Sequence, residues 1–355
     1  MKRVMRTMIL LAVMLTTAMQ VNAQRRISIF FDHVTEIAKQ EKISIKEAAE
    51  RVRRLGYEGI DVRVNMSKEE LDLLDSLGFQ HACAIADINL IAGEQPKVAR
   101  EVLDFMHHRQ YTRLLLLPGF LPKDPDSQFI DAACTRIAAF VKAARREGID
   151  VMVEDYDNPR AICYNTPILD HLFAASPQLN HVFDSGNYLY SGEEVMVALR
   201  HFRERVSHVH LKDRKAMHDS ASLVVGTGIM PLKDVMSELL SSGYDGWFCI
   251  EHFGAPNMLK YAAESIANVR AVWDEVTKDH ELARFRSVAE KEQGNKVTKD
   301  HELARFLSPL RSESGPLVRL RSVAEKEQGN KGPRALLAFF PHFVLKAALW
   351  LAFVA

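Results

Sequence analysis

The 355-residue chain is poor in cysteine: it has four, Cys83, Cys134, Cys163 and Cys249, and no two share a C-x-x-C spacing. That scarcity argues against a disulfide-stapled scaffold or a thiolate metal site and predicts buried thiols. Net charge is also missing, since 46 basic side chains meet 46 acidic ones. No glycine-rich phosphate loop is present: Phe31-Asp32-His33-Val34-Thr35 has no glycine, and Gly226-Thr227-Gly228 lacks the following lysine and the spacing. Long uninterrupted apolar runs are lacking too. The stretch 335–355 is broken by Pro341, His342 and Lys346, so it is the one place where membrane contact stays open.

What is present changes along the chain. Lys2, Arg3 and Arg6, the apolar run 8–15, and the small residues Val21 and Ala23 read as an export signal over 1–23, cleaved before Gln24. A periplasmic or secreted protein is therefore expected, without a lipidated cysteine behind the run. At the other end, 276–285 recurs unchanged as 297–306, and 286–296 recurs as 321–331. Identical copies at unequal spacing differ from the diverged, evenly spaced units of a solenoid. The tail 277–355 is expected to be disordered or partly helical and to carry no chemistry. The middle, 24–276, keeps 29 basic and 37 acidic side chains, a net charge of −8. It lacks the basic footprint that nucleic-acid binding needs.

That middle alternates short β-rich apolar runs with longer amphipathic ones. Strands are predicted at 27–31, 59–64, 80–86, 111–117, 150–155, 181–184, 206–211 and 247–252, many of them nearly continuous in apolar residues, as parallel strands covered on both faces are. Capping-box patterns start helices at Ser44-x-x-Glu47, Ser67-x-x-Glu70 and Ser191-x-x-Glu194. Gly56, Gly78, Gly148 and Gly243 sit where helices end before strands. Eight β-then-α units in about 250 residues predict one α/β domain, a single (β/α)8 barrel, with an open doubly wound sheet as the weaker alternative.

Barrel chemistry belongs at the C-terminal strand ends. Four consecutive strands there deliver Glu154, Asp184, His210 and Glu251. Charged groups closing apolar runs are costly to bury unless they pair or bind a cation. Three carboxylates and an imidazole suit one divalent ion, Mn²⁺ before Mg²⁺, Co²⁺ or Zn²⁺. Strand alternation turns Asp155, Asp213 and His252 away from that point and Lys212 toward it. His33 and Asp61 lie near early strand ends, where substrate contacts arise, as do Asp32, Arg63, His81 and Asp87.

Glu154 in V-E-D, F-D-S-G-N at 183–187, H-V-H-L-K-D at 208–213, V-G-T-G-I-M-P-L at 225–232 and I-E-H at 250–252 together resemble the sugar phosphate isomerase/epimerase family, the xylose-isomerase-like barrels that include ketose 3-epimerases. The resemblance spans 26–276. It implies that Glu154, Asp184, His210 and Glu251 bind one metal ion, and that the two glutamates carry the substrate proton through an enediolate. A metal-dependent isomerase or epimerase acting on a small sugar or polyol is expected, and self-association is compatible with that. A dehydratase or hydrolase on the same site, or a non-catalytic sugar-binding barrel, are the alternatives. Asn187 departs from the pattern, because ketose 3-epimerases and the family's AP endonucleases carry histidine there. Asn is a poor metal ligand but can hold a substrate hydroxyl, so the endonuclease reading is disfavoured and Asn187 joins Lys212 among the expected substrate contacts.

Overall fold

The computed structural model describes residues 25–293, so the expected signal at 1–23 and most of the repeat-bearing tail lie outside the described residues. Residues Arg25–Lys278 form one compact unit. Eight parallel strands close into a barrel: β1 (Ile27–Phe30), β2 (Gly59–Arg63), β3 (Gln80–Asp87), β4 (Arg113–Leu117), β5 (Asp150–Glu154), β6 (Asn180–Asp184), β7 (Val206–Leu211) and β8 (Phe248–Ile250). Each strand pairs with its neighbours in sequence, and β1 closes the ring on β8. The open sheet is thereby excluded. The predicted strands all recur, 206–211 unchanged and the other seven shortened or extended by a residue or two at their ends.

Helices α1 (Phe31–Glu41), α2 (Ile45–Leu55), α3 (Lys68–Ser76), α4 (Pro96–Arg109), α5 (Ser127–Arg146), α6 (Thr166–Ala175), α7 (Ser185–Ser191), α8 (Val195–Phe202), α9 (Leu232–Ser241) and α10 (Met258–Gln293) connect the strands and close the chain's last turn around the barrel. Ser44 caps α2 through the Glu47 N–H, and Ser67 with Glu70 forms a complete capping box on α3. Ser191 does not cap. It ends α7, its hydroxyl donates to Tyr188 O, and α8 starts later behind Glu194. The reason lies upstream: S-G-N-Y-L-Y-S is itself a short helix, closed by Gly192 at φ 85°. Helix α10 runs past the boundary expected at 276 to Gln293, while the compact unit ends at Lys278.

The main core lies between strands and helices, while Cys83, Ile85, Leu115, Met152 and Val182 fill the barrel interior. All four cysteines are buried and unpaired. Period-two alternation now fixes what stands above that interior layer. Two residues past Met152 comes Glu154, two past Val182 comes Asp184, and two past Cys249 comes Glu251. Among the described residues no helix is long and apolar enough to cross a membrane, and 335–355 lies outside them.

Candidate metal centre and active site

Glu154, Asp184, His210 and Glu251 converge at the C-terminal mouth, each offering a ligand atom within 4.8 Å of the others. His210 is central. Its Nδ1 lies 2.6 Å from Glu154 Oε1 and 3.5 Å from Glu251 Oε2, so the two glutamates flank one imidazole from β5 and from the end of β8. Asp184 divides its work between two oxygens. Oδ1 caps α7 by accepting from the N–H groups of Gly186 and Asn187, leaving Oδ2 for the site. Glu251 Oε2 is buried without a hydrogen-bond partner, and Asp184 Oδ2 is buried against the Lys212 ammonium. Oxygens in that condition, beside an imidazole, fit a hard divalent cation.

Lys212 is not at the rim. Its side chain is 4% exposed, and Nζ stands 2.7 Å from Asp184 Oδ2, 2.9 Å from Glu251 Oε1 and 3.1 Å from Asn187 Oδ1. Asn187 therefore reaches the site through its carbonyl, which it shares between Lys212 and the fully buried Arg214. Burial opposes the Lys212 charge, but Asp184, Glu251 and Glu154 outweigh it and hold the ammonium well above its usual range. Burial raises Glu251 to about 8, with Lys212 drawing it down and Asp184 and Glu154 pushing it up. Glu154 moves up for the same primary reason, against the pull of His210. A bound cation reverses the sign of such carboxylate shifts.

Asp61, expected as a substrate contact, is 1% exposed and lies in the layer beneath the mouth. Ser28 Oγ donates to its Oδ1 at 2.7 Å, and His208 Nε2 donates to Oδ2 at 2.7 Å. Burial alone would raise its carboxyl, yet His208 and His210 hold it below the usual carboxylate range. His208 was legible only as the same-parity partner of His210. Cys249 completes a second grouping with Asp61, His208 and His210. There the carboxylate is already engaged by two donors, and burial pushes the Cys249 thiol upward, away from the thiolate a metal would need.

His33 stands in the first turn of α1. Its Nε2 accepts the His252 main-chain N–H at 2.8 Å, and burial moves its pKa well down, so it is a neutral imidazole protonated at Nδ1. Asp32, Arg63 and Asp87 form an exposed ion-paired arc at the mouth. His81 is at the opposite end of its strand, paired with Asp75, because β3 begins at Gln80. The outward-facing residues have structural partners, as parity predicts. Asp155 accepts from the Asp184 N–H, and His252 bonds Ser265. Asp213 accepts from the N–H groups of Arg214, Gly226, Gly228 and Met230. The V-G-T-G-I-M motif is thus a backbone cradle around a carboxylate of the protein itself.

These features define a (β/α)8 barrel with a carboxylate–imidazole centre at its C-terminal mouth. The family description of the xylose isomerase-like TIM barrel matches residues 49–272, and the chain belongs to that family. An inosose dehydratase of Lacticaseibacillus casei is 22% identical over 275 residues, covering 66% of this chain and 91% of the relative. A D-tagatose 3-epimerase-like protein superimposes with a TM-score of 0.59 at 17% identity, over 72% of this chain and 99% of the other. A barrel protein from Mycobacterium smegmatis, solved in complex with magnesium, gives 0.53 at 17% identity, over 65% and 88%.

Proposed function

We propose that the protein is a divalent-metal-dependent enzyme that enolises an unphosphorylated keto-sugar or keto-polyol, acting as an isomerase or epimerase. The observation that carries this reading is the convergence of Glu154 and Glu251 on the same nitrogen of His210, with Lys212 between Asp184 and Glu251. One ion, Mn²⁺ by preference, would be held by Glu154, Asp184, His210 and Glu251. When bound, it supplies Lewis-acid polarisation of a carbonyl and its neighbouring hydroxyl.

The protein's own groups do the rest. One glutamate takes the proton from the carbon beside the carbonyl, and the other returns a proton to the opposite face. Lys212 stands ready to neutralise negative charge developing on oxygen, positioned by Asn187 Oδ1 at its ammonium and by Ser185 Oγ at its main-chain N–H. The neutral His33, fixed by the His252 N–H, is a hydrogen-bond donor for a substrate hydroxyl. A pure sugar binder has no use for two flanking bases.

Dehydration is the second reading, favoured by the inosose dehydratase that aligns over 91% of its own length. It shares the first step: after proton removal, the hydroxyl on the adjacent carbon takes up a proton from a glutamate and leaves as water, instead of a proton returning to carbon. On the 1–23 pattern we place the reaction in the periplasm or outside the cell. The test is incubation with Mn²⁺ and a panel of ketoses and inososes in D₂O, followed by NMR. Deuterium beside the carbonyl in a stereoisomer supports epimerisation, and an unsaturated or enolic product supports dehydration. Bound Mn²⁺ with no exchange in any substrate refutes the enolisation mechanism. Glu154→Gln should keep the fold and lose about 10²–10⁴-fold in turnover.

A further inference from the structure

We propose that Asp61 is the positioning residue for the His210 imidazole, setting which of its nitrogens is presented to the metal. The inference rests on the proposed metal centre and deepens it. His210 has two distinct ring faces to its surroundings. Nδ1 looks toward Glu154 and Glu251 and is the nitrogen that would ligate. Nε2 is buried without a hydrogen-bond partner, and Asp61 Oδ2 lies 3.7 Å from it.

A neutral imidazole that gives its Nδ1 lone pair to a cation must carry its proton on Nε2. That proton needs an acceptor, and Asp61 is the carboxylate in reach. An ionised carboxylate oxygen has two lone pairs, so Oδ2 can keep the His208 donor and take a second from His210. Bringing 3.7 Å to hydrogen-bond length takes a shift of about 1 Å. The anion itself is anchored, because Ser28 Oγ holds the other oxygen at 2.7 Å. The ring has little freedom to turn away: Phe30 meets it edge-on at 4.8 Å and His208 at 5.2 Å. Ser28, Asp61 and His208 thus form a hydrogen-bonded floor around one buried carboxylate under the ligand, contributed by β1, β2 and β7.

The test uses the purified full chain with Mn²⁺ alone as the probe, read by calorimetric titration and by the loss of free-Mn²⁺ EPR signal. Asp61→Asn should weaken Mn²⁺ binding about 10–100-fold, and saturating Mn²⁺ should restore most of the turnover. Ser28→Ala, which unpins one oxygen while leaving the carboxylate, should give a smaller loss in the same direction and serves if Asp61→Asn fails to fold. Cys249→Ala removes a side chain of the same layer and should leave Mn²⁺ affinity within about 3-fold, since it leaves the Asp61–His210 pair in place. Wild-type Mn²⁺ affinity in Asp61→Asn, even with a lowered melting temperature, would reduce Asp61 to a structural role and overturn the inference alone. Absence of Mn²⁺ binding by the wild type would overturn the metal centre and this inference together.

Discussion

Asp213→Asn isolates one carboxylate that organises a whole loop. In the wild type, Oδ1 accepts from Arg214 N at 2.9 Å and Met230 N at 3.0 Å, while Oδ2 accepts from Gly226 N at 2.9 Å and Gly228 N at 2.8 Å. An amide has one carbonyl oxygen, so two of those four donors lose their acceptor and face an NH₂ group instead. Each orphaned N–H costs about 1–3 kcal/mol, or about 4 kcal/mol for the pair. For a domain of this size that lowers the melting temperature by roughly 8–16 °C. Thermal unfolding followed by circular dichroism reads the shift, and limited proteolysis should show new cleavage in 215–231. Gly228→Ala should act on the same cradle, because its Cβ collides with Arg214 O and the Asp213 carboxylate. A melting temperature for Asp213→Asn within about 2 °C of wild type would refute the cradle argument.

Gly186→Ala places a Cβ 2.6 Å from Lys212 Cγ and 2.7 Å from its Cβ, close to the lysine's root. It should displace the ammonium and cut turnover by about 10²-fold with the fold kept; unchanged steady-state kinetics would show that Lys212 is not needed where it stands. Chelation should lower stability, and Mn²⁺ at 100 times its Kd should restore about 2.7 kcal/mol, seen as a melting-temperature rise in calorimetry. Acid should destabilise the barrel through His181, which burial lowers to about 4. The unfolded imidazole takes its proton near pH 6.5 and the folded one near 4, so stability present above pH 6.5 is lost as pH falls toward 4. The loss is about 3 kcal/mol. Urea midpoints of wild type and His181→Gln should converge across that window, and parallel curves would contradict it.

Much of the centre is legible in the sequence because strand periodicity is local. Residues two apart on a strand face the same way, so Glu154, Asp184, His210 and Glu251 were placed on one face of consecutive strands, with Asp155, Asp213 and His252 turned from it. Capping followed the same local rules at Ser44 and Ser67. It failed at Ser191, where a helix of seven residues intervened.

The sequence alone determined the barrel and the four side chains that meet at its mouth, since alternation, length and parity are properties of neighbouring residues. Only the tertiary structure decided what those residues meet. Asp61 on β2 reaches His208 on β7 across the barrel interior, with β1 and β8 standing between them in the ring. Lys212 is sealed between Asp184 and Glu251, and Asp213 is enclosed by N–H groups up to 17 residues away. Such contacts depend on closure and stagger, which bring distant strands to one level. No local pattern encodes that level, and it is what sets Asp61 beneath the His210 imidazole.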